Sequence, residues 1–170
     1  MIKVIITFLL LGGALFLPFS ASAQSPGLID VFGAWSAFAL KQDGKSVCYI
    51  GSEPIKSDGK YSKRGDVLFL VTHRPADKET GVINFQAGYP LKPGTDVKLI
   101  IGDSSYSLFT NDQDAWALDA KSDQAIVLAL IKGSSMILKG TSTRDTKTTD
   151  TFSFKGFTAA YKAASKACKL

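Results

Sequence analysis

One histidine, two cysteines and scattered carboxylates are all that this chain offers to catalysis or metal binding. His73 stands alone, and no Cys or carboxylate pair has the spacing to join it around a metal ion. As a general base it would need a partner serine, and no Gly-x-Ser-x-Gly elbow occurs. Its place at the end of an apolar run, just before Arg74-Pro75, predicts a surface or half-buried polar residue. No phosphate loop and no Gly-x-Gly-x-x-Gly turn is present. Asp112 and Asp114 form the closest acidic cluster. They lack the Gly and downstream Glu of a calcium loop, so they read as a solvated turn. Trp35 and Trp116 could stack on a sugar, but core packing is the simpler reading. Arg64-Gly65-Asp66 has the form of an integrin-binding tripeptide, yet it reads more simply as a basic loop ending in a Gly turn before Val67. The expectation is a non-enzymatic protein with no catalytic, metal or cofactor residues and no cofactor.

The cysteines offer chemistry with each other, and the start of the chain says where. Met1-Ile2-Lys3 is a short positive opening, Val4 to Phe19 carries no charge, and Ala21-Ser22-Ala23 supplies the small residues that signal peptidase requires. Residues 1–23 therefore read as a signal peptide cleaved before Gln24, and 24–170 as a single domain of about 147 residues. No membrane span is expected after cleavage. In an oxidising compartment an even pair of cysteines is most simply a disulfide, here Cys48 to Cys168. Phe157, Ala160, Tyr161, Ala164 and Cys168 recur at helical spacing, which places Cys168 on the buried face of a C-terminal helix. Cys48 lies in a strand-like Val47-Cys48-Tyr49-Ile50. No Cys-x-x-Cys occurs, so a redox role has no support.

Twenty basic residues less Lys3 leave nineteen against fifteen acidic, a mature net charge of +4. The lysines are dispersed. The densest stretch, Lys56, Lys60, Lys63 and Arg64, is interrupted by Asp58 and reads as a solvated surface. A weak attraction for anionic headgroups or polysaccharide is the sharper alternative. A nucleic-acid partner is not expected.

The elements that must position these residues are mostly strands. Phe32 to Leu40 and Ser46 to Ser52 read as the first two, and Glu53 to Gly65 as a loop. Val67 to Val71 reads as a strand buried on both faces. Pro75 to Gly81 turns the chain, and the next strand alternates, with Ile83, Phe85, Ala87 and Tyr89 on one face. Val97 to Ile101 and Tyr106 to Phe109 flank a hairpin turn at Gly102-Asp103-Ser104. Ser122 to Lys132 could be a strand, but a cap at Ser122 or Asp123 and the stop at Gly133 favour a helix. Ser135 to Thr143 and Lys147 to Phe154 read as a Thr-rich hairpin with Phe152 and Phe154 inward. The fold class is mostly β, a sandwich with a short internal helix and a C-terminal helix. An outer-membrane barrel is disfavoured, because most strands fall short of the ~9–11 residues needed to cross the hydrocarbon.

A family resemblance runs through the same segments. Phe32-Gly33-Ala34-Trp35, Val47-Cys48-Tyr49, and Arg64 to Pro75 ending in Thr72-His73-Arg74-Pro75 carry its first half. Gly88-Tyr89-Pro90-Leu91-Lys92, Leu108-Phe109-Thr110 and Ala115-Trp116 continue it. The most specific stretch runs from Lys132-Gly133-Ser134 through Lys139-Gly140-Thr141-Ser142 and Arg144 to Thr148-Thr149-Asp150-Thr151 and Gly156-Phe157, with Cys168 closing it. Together these resemble the invasion-associated locus B family of exported proteins from Gram-negative bacteria. Asp145 stands where the family usually has Gly, and Asp tolerates the left-handed conformation such a turn needs. Phe152 replaces a common Tyr. The resemblance implies an immunoglobulin-like β-sandwich and transfers no catalytic residue. The export signal, the cysteine pair and the missing catalytic constellation lead to the expectation of a non-enzymatic periplasmic binding or interaction domain. Outer-membrane association or secretion is the alternative location, and a surface-displayed or secreted factor that contacts host cells is the alternative function. Another envelope protein or a polysaccharide is the partner class left open, and host-cell entry is an association of the family's name.

Overall fold

Side chains alternate in and out along most of the chain, and it folds as that period dictates. The computed structural model describes residues 27–170; the export segment and the expected cut before Gln24 lie outside the described residues. The strands are β1 (Leu28–Phe32), β2 (Trp35–Gln42), β3 (Lys45–Ser52), β4 (Lys56–Gly59), β5 (Leu68–Arg74), β6 (Glu79–Gln86), β7 (Val97–Ile101), β8 (Ser104–Asn111), β9 (Asp114–Trp116), β10 (Ser135–Thr141) and β11 (Lys147–Ser153). The helices are α1 (Ala120–Lys132) and α2 (Phe157–Ala167), with a single 3₁₀ turn at Pro75–Asp77.

Pairing is antiparallel in one ladder of order β1-β2-β3-β5-β6-β9-β8-β7-β10-β11-β4. β8 is its corner: Ser104 to Leu108 pair with β7, while Phe109 to Asn111 pair with β9. The ladder folds there, so its two halves pack face to face, as the sandwich expectation requires. Phe69 of β5 and Phe85 of β6 meet Phe152 of β11 at ring-centroid distances of 6.0 and 6.4 Å. Where the second half does not reach, α2 covers β1, β2 and β3, and α1 covers β6.

Four local readings change. The stretch Phe32 to Leu40 is two strands, because Gly33 (φ +63°) turns the chain between Phe32 and Trp35. The loop after Glu53 contains β4, an exposed edge strand paired with β11. It is joined by backbone bonds alone, so no apolar alternation announces it. β5 is buried on one face only: Phe69, Val71 and His73 point inward, while Leu68, Leu70 and Thr72 are half-buried. The internal helix forms as expected, but its cap is Asp119, whose carboxylate accepts the Ser122 N–H at 2.7 Å. Asp123, one turn on, accepts the Ile83 N–H at 2.8 Å, one residue beyond where β6 pairs with β9. Desolvation raises the Asp123 pKa above the ordinary carboxylate value.

Candidate functional site

Strand parity builds the site. Because Phe152 points into the core, Thr148 and Asp150 on the same face of β11 must do so too. Asp150 is 0 % exposed. A carboxylate in that position is tolerable only when paired and hydrogen-bonded. Arg64, at the end of the loop before β5, supplies both. Its Nη1 and Nη2 donate to the two Asp150 oxygens at 2.7 and 2.8 Å, and its Nε donates to the Ala87 carbonyl at 2.7 Å. The Arg64 side chain is only 5 % exposed. Burial works against its charge, but the Asp150 hydrogen bonds and charge outweigh that, so its pKa is raised. The guanidinium carbon lies 5.4 Å from the Tyr61 ring centroid and 4.9 Å from that of Tyr89. Tyr89 Oη shares a 2.6 Å hydrogen bond with Thr148 Oγ1, and burial raises the tyrosine's pKa.

A close backbone approach holds the two segments together. The Gly65 N–H donates to the Gly88 carbonyl at 2.8 Å. Gly88 has φ +73°, and a Cβ there would lie 2.5 Å from the Gly65 oxygen. Only glycine meets both demands.

Above this floor opens a cleft of about 460 Å³. Lys60, Tyr61 and Lys63 form one wall, and Thr143, Arg144 and Thr146 of the β10–β11 turn form the other. Ser142 organises that turn, its Oγ accepting the Arg144 and Thr146 N–H groups at 3.2 Å. Asp145 takes the left-handed conformation (φ +62°) expected where glycine is usual. No acidic side chain lines the cleft. Among the described residues Lys60, Lys63 and Arg144 form no ion pair, so the rim is cationic. Arg64 is therefore neither solvated nor free to act in an adhesive tripeptide.

The other candidate residues lie elsewhere. His73 is 0 % exposed, contrary to the surface reading. β5 continues through it to Arg74, so parity with Phe69 and Val71 turns it inward. Its Nδ1 accepts the Gly81 N–H at 3.1 Å. The Ser165 hydroxyl donates to the Tyr161 carbonyl at 2.8 Å and faces Nε2 at 3.2 Å, which places the ring proton on Nε2. Burial lowers the His73 pKa and favours this neutral form. Cys48 and Cys168 are joined in a disulfide with Cα atoms 5.9 Å apart. Cys48 lies directly across from His73, so bridge and imidazole together fasten α2 to the sheet. Trp35 is buried edge-to-face against Phe157 and donates from Nε1 to the Ser153 carbonyl at 2.9 Å. Trp116 is half-buried in β9. Asp112 turns β8 into β9 with φ +52°, and Asp114 accepts from Asn84 Nδ2 at 3.1 Å. Among the described residues no group of three or more His, Cys, Asp or Glu side chains could hold a metal ion. No described helix is long and apolar enough to cross a membrane.

The family model for invasion associated locus B (IalB) protein matches residues 35–165, which span β2 to β11, both walls of the cleft and most of α2. The chain belongs to the invasion associated locus B family. The crystal structure of invasion associated protein b from Bartonella henselae superposes with a TM-score of 0.59 at 18% identity, covering 82% of this chain and 96% of that one. At that identity the likeness shows the fold. No curated protein matches the chain in sequence. Within the family's matched span, sequence reasoning passed over the Arg64–Asp150 pair. Its one signal was the inward parity that Asp150 shares with Phe152.

Proposed function

We propose that this invasion associated locus B family member is an exported, non-enzymatic envelope protein that acts by binding, and that the basic cleft over the Arg64–Asp150 pair is its binding surface. The observation that carries this reading is the cleft itself: a preorganised concave site whose rim cations are unpaired among the described residues and whose floor is the paired Arg64 packed on two tyrosines. Among the described residues, no hydroxyl lining the cleft is hydrogen-bonded to a lysine or histidine side chain. The single histidine is buried under α2 and occupied on both nitrogens. The disulfide fits an oxidising compartment, and the expected cleavage before Gln24 supports export to the periplasm.

Site-specific photo-crosslinking from the cleft rim, followed by isolation from the native envelope, tests the reading. A specific adduct formed from position 143, and not from an exposed position on α2, is expected. Equal labelling from both would overturn it. Turnover of a cell-wall or polysaccharide substrate, abolished by a point mutation, would overturn the non-enzymatic part. The names of the family and of the Bartonella protein favour a second reading, a surface-exposed or secreted factor in host-cell attachment or invasion. External protease on intact cells separates the two, because only a surface-exposed protein is cut.

A further inference from the structure

We propose that the cleft takes an acidic saccharide, a sugar chain carrying carboxylate, sulfate or phosphate groups; the assignment rests on the binding reading above and names its ligand class. Arg64 is neutralised by Asp150 beneath the floor, so it adds rigidity without net charge. The charge that faces the opening belongs to Lys60, Lys63 and Arg144, on opposite walls and without carboxylate partners among the described residues. Like charges lining one cleft repel one another, and an anion placed between them relieves that repulsion. Arg144 comes from a turn whose shape Ser142 holds, so its backbone needs little ordering on binding.

The remaining rim chemistry selects a sugar over a bare anion. Tyr61 is 37 % exposed beside the cations, and the ring surface that Arg64 does not cover is of the kind that packs against the apolar face of a pyranose. Thr143, Ser62 and Gln113 supply hydroxyl and amide groups of the kind that pair with sugar hydroxyls. A single-stranded nucleic acid would use successive aromatic platforms along an open groove. Here one exposed aromatic side chain, Tyr61, lines a bounded cleft.

Calorimetry on the mature, disulfide-bonded protein tests the assignment at low and moderate salt. The probes are a heparin-derived tetrasaccharide, a hyaluronan tetrasaccharide, neutral maltotetraose, inorganic pyrophosphate and a short oligothymidylate. At least one acidic tetrasaccharide should bind saturably at one site, weakening as salt rises, with maltotetraose at least tenfold weaker. Lys63→Ala and Arg144→Ala should each weaken that binding about three- to tenfold, while Lys162→Ala on α2 leaves it unchanged. Tyr61→Ala should weaken saccharide binding but leave any pyrophosphate binding unchanged, a split that a purely electrostatic patch cannot produce. Equal affinity for pyrophosphate, tighter binding of oligothymidylate, or equal effects of Lys162→Ala and Arg144→Ala would each overturn the proposal. No saturable binding of any acidic saccharide would also overturn it, leaving the binding reading to its own crosslinking test.

Discussion

Removing the Asp150 carboxylate should be among the most damaging single changes available to this protein. In Asp150→Ala the Arg64 guanidinium keeps its charge and its burial, with a side chain only 5 % exposed, but loses two charge-assisted hydrogen bonds of 2.7 and 2.8 Å. Each such bond contributes about 1.5–3 kcal/mol, and breaking a buried pair from one side typically costs about 3–5 kcal/mol. For a domain of this size that corresponds to a melting temperature lower by roughly 6–20 °C. Urea unfolding followed by near-ultraviolet circular dichroism, with a thermal scan beside it, measures the change. The companion variant Arg64→Met/Asp150→Leu separates causes. If the damage comes from the unpaired charge, the apolar pair should recover most of the lost stability. An Asp150→Ala protein within about 1 kcal/mol of wild type would refute the reasoning, since water would then have to reach Arg64. A double variant as unstable as Asp150→Ala would move the cause from charge to packing.

The bridge from Cys48 to Cys168 spans 120 residues of sequence. Cys168→Ala should therefore lower stability by about 2–5 kcal/mol, with α2 amides exchanging first; a wild-type melting temperature would show that Phe157, Tyr161 and Ala164 hold the helix unaided. Burial depresses the His73 pKa in the folded protein, so the unfolded chain takes its proton at higher pH. The stabilising share of His73 is whole above the unfolded value of about 6.5 and is lost as pH falls from there through the lower folded value. Stability measured from about pH 7 to 5 should thus fall more steeply for wild type than for His73→Gln, and parallel curves would contradict the neutral, buried imidazole. Gly88→Ala should cost more than about 1 kcal/mol, because φ is +73° and the new Cβ would lie 2.5 Å from the Gly65 oxygen; an unchanged urea midpoint would disprove that close approach.

What the amino-acid sequence determined by itself was local and periodic. Alternation in Ile83 and Phe85 placed one face of β6 in the core; both are buried, as is Ala87 just beyond the strand, while Tyr89 of the same series is half-buried. Helical spacing from Phe157 to Cys168 put the second cysteine on the inward side, and it lies at the C-terminal cap of α2, where the disulfide forms. Each of these needs only the repeat of one element and a side chain's preference within it. Tertiary structure decided the partnerships. His73 looked like a strand end beside Arg74-Pro75, and its burial became apparent only when β5 ran past it and α2 lay across it. β4 bears no apolar pattern because β11 holds it through backbone bonds. Arg64 and Asp150 are 86 residues apart. The basic loop appeared solvated because nothing near it in sequence reveals the carboxylate that meets it. The cleft is less local still, since its walls come from the loop before β5 and the turn after β10. Periodicity tells which way a side chain faces, and electrostatics tells that a buried charge must find a partner. Only folding the ladder at β8 determines which partner it finds.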